Sequence, residues 1–380
     1  MVMKMIRSVK ALFSSKYSKQ CVWRIKFKSV LLLIAVVTFL YISEMINHFY
    51  EVDFKKFQYP LEGNIEKYVM QLRDNKIPSK QPINVYKYEY ITDCLQKCQD
   101  KTPLRLVIVI KSAIPNFERR YVIRRTWGYE KRFSDVGIRT VFLLGNGNDT
   151  KLQAKIEREY LLYRDIVQAN FTDTYYNNTI KTMVGFKWAV SKCPYSKFYL
   201  FSDDDMYIST KNLLRYVRHP TKYPEYLTDV ENTINNGRLK RMKRQLVDFD
   251  LPDGIRFYSG YVKQTSPFRN RFSKFHMPLE EYKYDSYPLY ATAGAYILSK
   301  DALIDMHYAS LYTKHFRFDD VYLGILAHKI GILPYHSNYF HLFKVKYSPQ
   351  NYEYIIASHG YHDPEELLQV WNKQRELGSA

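Results

Sequence analysis

The chain has few cysteines, a single long apolar run, no internal repeat and no low-complexity tract, and it is short of acid relative to base. Each shortage excludes something. Four cysteines cannot build a disulfide-dense scaffold, and the Cys94-x3-Cys98 pair lacks the second pair that a zinc site needs. With one apolar run, the chain crosses a membrane at most once. With 57 Lys and Arg against 38 Asp and Glu, the formal charge is +19, which invites a polyanion as partner.

Locating the charge weakens that reading. Residues 1 to 50 hold eight cations (Lys4, Arg7, Lys10, Lys16, Lys19, Arg24, Lys26, Lys28) against Glu44, supplying +7 of the total. The remaining +12 is spread over 330 residues with no recognised nucleic-acid motif, so no nucleic acid is expected as partner. The cations run up to SVLLLIAVVTFLYISEMI, in which Val30 to Ile42 is interrupted only by Thr38. Thirteen residues are short of the ~20 that span a bilayer, and a cleaved signal peptide is the rival. No small-residue cleavage pattern follows, and extension to Ile46 makes an uncleaved signal anchor the expected reading. A cytosolic tail would then occupy 1–29, the span 30–46, and everything beyond would be luminal by the positive-inside rule.

Sequons at Asn148, Asn170 and Asn177 are candidate N-glycosylation sites that fit such an address. Of the cysteines, Cys21 would be cytosolic, leaving Cys94, Cys98 and Cys193 for one disulfide and one buried thiol, with the pairing open. Residues 47–103 have mixed charge, scattered proline and no sustained period, which predicts a stem. From residue 104 the texture changes. Short apolar runs at 104–110, 139–145, 164–170 and 197–202 alternate with helix-period segments at 149–163 and 179–192, predicting βαβ units and a largely parallel sheet covered on both faces. The catalytic domain is expected over 104–376. Between Arg218 and Phe249 the pattern dissolves into an exposed insertion, whose Arg241–Arg244 stretch reads as a solvated loop, a processing site or a polyanion contact.

Three aspartates, Asp203 to Asp205, end the run SKFYLFS and are followed by MYI. Adjacent carboxylates repel, so either water dissolves the charge or a cation collects it. Apolar residues on both sides place the acids at the rim of a core, where hard oxygen ligands suit Mg²⁺ or Mn²⁺ gripping a diphosphate. A second pair, Asp319 and Asp320, precedes a predicted helix over 321–329. It either caps that helix or supplies an ionised carboxylate able to act as a general base. His359, between an apolar run and a last helix opening at Asp363-Pro364, is a structural histidine or a ligand. Basic residues in FERRYVIRRTWG (117 to 128) face phosphates or solvate a helix.

The ordered blocks RRYVIRRTWG, VFLLG, DIVQANFTDTYYNNTIKT, FYLFSDDDMYI, YPLYATAGAYILS, FDDVYLGI and SHGYHDPEELLQVW resemble those of the β-1,3-galactosyltransferase-like enzymes, glycosyltransferase family 31. That family also includes N-acetylglucosaminyltransferases and the Fringe enzymes. The resemblance covers about 104 to 372. It implies an α/β fold of GT-A type, a Rossmann-like mixed sheet flanked by helices, behind a type II anchor in the Golgi membrane. The implied reaction is inverting transfer of a hexose, galactose first, from a UDP-sugar to a glycan on protein or lipid, forming a β-1,3 linkage. Transfer of N-acetylglucosamine from its UDP donor, or glycan binding without turnover, are the alternatives. By the same resemblance Asp205 and His359 bind Mn²⁺ (or Mg²⁺), Asp203 and Asp204 hold the ribose and sugar side of the donor, and Asp320 is the base. Arg119, Arg124 and Lys181 match basic positions that meet the diphosphate. The chain departs from the family at Asp319, where Glu is usual, at Ala293-Gly294-Ala295, where Gly-x-Gly is common in a loop, and at Phe275, a frequent Trp.

Overall fold

In the computed structural model, which describes residues 16–58, 65–99, 104–227 and 250–380, with 16–25 as backbone only, the apolar runs become the middle of one sheet. The Arg241–Arg244 stretch lies outside the described residues. The chain divides into two compact units, Met1–Phe57 with Thr265–Tyr287, and Gln58–Gln264 with Pro288–Ala380.

In the larger unit, α1 is Ile65–Arg73 and β1 is Tyr90–Thr92. The βαβ series follows as β2 (Leu104–Lys111), α2 (Phe117–Arg125), β3 (Ile138–Asn146), α3 (Thr150–Tyr163), β4 (Ile166–Thr172), α4 (Asn178–Lys192) and β5 (Ser196–Asp203). Strands β6 (Met206–Ile208), β7 (Tyr258–Lys263), β8 (Tyr290–Ser299), β9 (Tyr335–His336), β10 (Phe340–His341) and β11 (Ala357–His359) complete the sheets. The further helices are α5 (Thr210–Tyr216), α6 (Lys300–Leu311), α7 (Asp319–Lys329) and α8 (Pro364–Glu376).

The main sheet runs β1-β4-β3-β2-β5-β8-β7-β9, parallel from β4 to β5 and antiparallel where β8 joins β5. A small sheet, β10-β11-β6, is separate from it. The Rossmann-like mixed α/β sheet expected from the sequence is therefore observed. Val107, Ile108, Val109 and Ile110 are wholly buried, as continuous apolar strands in a two-faced parallel sheet must be. Each such side chain contributes about 1.5–3 kcal/mol of burial. Local chemistry fixes the helix starts. The Asp149 carboxylate accepts from the Lys151 and Leu152 N–H groups ahead of α3, and Asp363 caps α8 with Pro364 in its first turn.

The predicted stem differs from what forms. Much of 65–99 belongs to the larger unit: Arg73 pairs with Asp301 and Asp305 of α6, Tyr68 lies against Tyr312, and β1 extends the sheet. Cys98 and Cys193 form the disulfide and Cys94 is the buried thiol, which fits the expected count of one bridge.

In the smaller unit a helix spans Lys16–Ile42, followed by a 3-10 turn at Met45–Tyr50. The span expected from the sequence was 30–46. The helix stops at Ile42, and its apolar part is about 20 Å long at 1.5 Å per residue. Among the described residues no helix is long and apolar enough to cross a membrane.

Candidate active site

The strand order places a switch point between β2 and β5: from β2 the chain moves out to β3 and β4, then returns to β5 on the other side. In open α/β sheets ligands gather in the crevice beyond the carboxyl ends of such strands. Two charged residues end these strands in register, Lys111 on β2 and Asp203 on β5. The Lys111 Nζ is 3.0 Å from Asp203 Oδ1 and 2.8 Å from Asp319 Oδ2, and its side chain is only 4% exposed. Burial alone would favour the neutral amine, but the two carboxylates outweigh it and hold Lys111 charged. Burial pushes Asp203 up to about 6 despite Lys111, with Asp319 and Asp205 adding to the rise. Asp203 keeps a third of its side-chain surface and is the open member of the triplet.

Asp204 turns the other way and is satisfied by protein. It accepts from Ser112 Oγ at 2.7 Å, Asn116 Nδ2 at 2.9 Å and Arg119 Nη1 at 2.9 Å. Its buried carboxylate therefore ties the β5 end to the β2–α2 loop.

Asp205 is brought to the last block of the chain by the small sheet. Met206 pairs with His359 across β6 and β11, and the Asp205 carbonyl accepts from the Gly360 and Tyr361 N–H groups. The turn works because Gly360 has φ +98°, a conformation that a side chain would strain. His359 Nε2 lies 3.4 Å and His362 Nδ1 3.1 Å from Asp205 Oδ2. Burial would raise the Asp205 carboxyl, yet the His359 hydrogen bond and the charges of His359, His362 and Arg119 hold it low. The Asp205 bond raises His359 in turn, against its burial.

These residues fit a divalent ion. Asp205 Oδ1 is buried with no hydrogen-bond partner, and a carboxylate oxygen beside an imidazole is a donor set that suits Mn²⁺. Among the described residues no group of three or more His, Cys, Asp or Glu side chains is set to hold a metal ion. Asp205 and His359 are the residues that would hold such an ion.

Opposite stands α7. Asp319 and Asp320 lie inside its first turn, where the sequence reading placed them ahead of it, and the N-cap is Phe318. Asp319 Oδ2 receives Lys111 Nζ and, at 2.9 Å, Thr182 Oγ1 of α4. Asp320 Oδ1 accepts from the Val321 N–H at 2.8 Å, leaving Oδ2 for a proton. The helix dipole favours ionised acids here, but burial first and the Asp319 charge second raise the Asp320 carboxyl. The helix sits close to β8 because Gly324 has no side chain: a Cβ there would lie 2.6 Å from Tyr290 Cβ.

Of the residues singled out in the sequence, Asp203, Asp204, Asp205, His359, Asp319, Asp320 and Arg119 converge. Two basic residues behave otherwise than expected. Arg124 pairs with Asp165 and Glu159 and stacks 4.0 Å from the Tyr163 ring centroid, so it braces α2 against α3 and β4. Lys181 is buried, bonded to Asp173 and to the Ser112 carbonyl. Ala293-Gly294-Ala295 lies within β8 and not in a loop. Gly294 matters there for space, since a Cβ would meet Met206 Sδ at 3.2 Å. Lys111, Ser112, Thr182 and His362 were not singled out. The cation at the end of LRLVIVIK and the second histidine of SHGYH were the signals available.

Comparison with known proteins gives the assembly a lineage. The sequence model of the family described as Galactosyltransferase matches residues 118–245 and 234–338. The chain is 38% identical over 353 residues to "Beta-1,3-galactosyltransferase brn" of Drosophila melanogaster, covering 92% of this chain and 96% of that one. It is 31% identical over 291 residues to "Beta-1,3-galactosyltransferase 1" of Mus musculus, covering 77% and 80%. Among solved structures, galactosyltransferase LgtC with donor and acceptor sugar analogs aligns at 13% identity and a TM-score of 0.33, covering 72% of this chain and 100% of that one. Ordered motifs, full-length relatives and a matching family model agree: the chain belongs to the β-1,3-galactosyltransferase family, glycosyltransferase family 31.

Proposed function

We propose that the protein transfers galactose from UDP-galactose to a hydroxyl of a glycan on protein or lipid, with inversion, forming a β-1,3 linkage. The observation that carries this reading is the pairing of two acidic groups across the switch point, Asp205 with His359 on one side and Asp320 on the other. Asp320 accepts the acceptor hydroxyl's proton at Oδ2 while that oxygen attacks the anomeric carbon opposite the nucleotide. Asp319, held by Lys111 and Thr182, fixes the turn that carries Asp320. Asp205 and His359 would hold a divalent ion, which would supply charge neutralisation for a departing diphosphate. Asp203, with Lys111 behind it, is the open carboxylate able to accept from donor hydroxyls. Arg119 completes the donor side through Asp204.

The test is a donor panel with the purified full chain. UDP-galactose and UDP-N-acetylglucosamine are offered with a set of glycan acceptors, and product mass is read with and without Mn²⁺. Galactose transfer that needs the ion and is lost in Asp205→Ala supports the reading. A product heavier by N-acetylhexosamine assigns the other donor, and binding without turnover assigns a glycan-binding module.

The same reading places the chain in the Golgi membrane with the larger unit luminal. Basic residues before the apolar run, three sequons and a disulfide support that address. Asn148 and Asn170 are exposed acceptors for a glycan. Asn177 is less open: its amide donates to the Thr172 carbonyl at 2.8 Å, and Thr179 of its sequon is buried. Mobility of the chain from microsomes before and after glycosidase digestion checks this, with shifts lost in Asn148→Gln and Asn170→Gln. A chain left unglycosylated in the lumen contradicts the assignment.

A further inference from the structure

The chain that leaves the apolar helix is bound at once to a distant segment of sequence. Ser43 O accepts from the Arg271 N–H at 3.1 Å, and the Glu44 carboxylate receives Arg271 Nη2 at 2.6 Å and His276 Nε2 at 2.7 Å. Seven residues on, Glu51 Oε1 accepts from Arg269 Nε at 2.7 Å. Arg269, its side chain fully buried, also donates to the Met277 and Tyr284 carbonyls. Val52 pairs with Tyr284 as an isolated parallel bridge, and the Phe54 N–H reaches Asp285 Oδ1 at 3.0 Å. A buried ion pair is costly to break by losing one partner, so the excursion 265–287 is fixed within a residue or two of Ile42.

What the excursion presents there is FRNRFSKFH, residues 268 to 276, with three phenylalanines and no acid; of its three cations Arg269 is buried, while Arg271 and Lys274 are exposed. Phe268 is 56% exposed and Phe272 68%, while the 3-10 turn beside the helix end leaves Phe49 87% and Tyr50 67% exposed. The Lys274 ammonium stands 4.8 Å from the Phe275 ring centroid. Large aromatic rings left open beside cations at the end of an apolar helix have the chemistry of a bilayer's headgroup boundary, where rings enter the interface and basic side chains reach back to phosphates. The helix itself adds a reason. Its apolar run reaches about 20 Å, well short of a ~30 Å hydrocarbon core, so contact at the rim would supplement what the helix alone cannot give.

We propose that residues 268–276, together with Phe49 and Tyr50, form a foot that rests in the luminal surface of the bilayer entered by the apolar helix. This inference rests on the membrane-anchored reading above, and its occupant is the lipid headgroup layer. The full chain reconstituted in phosphatidylcholine vesicles is exposed to a lipid-dissolved photoactivated carbene reagent, and labelled peptides are identified by mass spectrometry. Label is expected in 30–42 and also in 268–276, with several-fold less in the second peptide for Phe272→Ser. That single exposed substitution leaves transfer to a soluble acceptor unchanged, which verifies folding. Label confined to 30–42 overturns the foot while keeping the anchor. Label in neither peptide overturns both. Protection of 268–276 that requires a second copy of the chain, seen as a cross-linked dimer, also overturns the foot.

Discussion

The Lys111 Nζ, at the end of β2, lies 2.8 Å from Oδ2 of Asp319 in the first turn of α7. This contact joins the end of β5 to the helix that carries Asp320, since the same nitrogen reaches Asp203 at 3.0 Å.

Removing that cation strands the buried Asp319 carboxylate and the more open Asp203. Lys111→Met is expected to cost about 3–5 kcal/mol near neutral pH, the range for deleting one partner of a buried pair. Without Lys111 the folded-state pKa values of Asp203 and Asp319 rise, so the native state holds protons the unfolded chain releases. The loss should therefore shrink as pH falls. Denaturant melts of wild type and variant across pH read this directly, and a pH-independent loss would contradict the pairing.

Asp319→Asn should move the acid limb of the transfer rate to lower pH. The Asp319 charge helps hold the Asp320 carboxyl up, and its removal leaves Lys111 to favour the ionised base. A rate that rises at a lower pH than in wild type, measured at saturating donor, is the expected outcome. An unmoved or raised limb would show that Asp320 does not feel Asp319.

Asp320→Asn separates chemistry from stability. Transfer is lost, yet the fold gains. A carboxyl whose folded-state pKa is raised costs stability as pH climbs from the unfolded-chain value, about 4, to its own, so the amide should stabilise the protein by more than about 1 kcal/mol near pH 8. The gain vanishes near pH 4, where both forms are neutral. Thermal melts at the two pH values decide it.

How far this was readable from sequence depends on whether partners were near in the chain. The strands from Leu104 to Asp203 announced themselves by continuous apolar runs at regular spacing, and α3 and α4 by their period. The triplet at the end of β5 and the acids of α7 were visible as charges in apolar text. Lys111 was not, because a lysine after a strand gains meaning only when an acid 208 residues later folds onto it. The misassignment of Arg124 and Lys181 has the same origin: Asp165 and Asp173 were available to pair with them, and local spacing does not choose between a phosphate and a protein carboxylate. The stem was misread because its residues pack on α6, whose sequence lies far downstream.

Gly324 tests whether α7 is held by close approach. Gly324→Val places a side chain where a Cβ already lies 2.6 Å from Tyr290 Cβ and 2.8 Å from the Leu289 carbonyl. Overpacking of this kind costs about 1–3 kcal/mol and should shift the turn bearing Asp320. The turnover number should fall more than the donor's KM changes. Equal changes in both would place the effect elsewhere.

The central claim is that Asp320 drives a single inverting displacement on a UDP-sugar. The direct measurement is the anomeric configuration of the sugar transferred from UDP-α-galactose, read by proton NMR of the isolated product, for the wild type and Asp320→Asn. A β-linked product from the wild type and none from the variant is predicted. An α-linked product, or undiminished β-linked product from the variant, would contradict it.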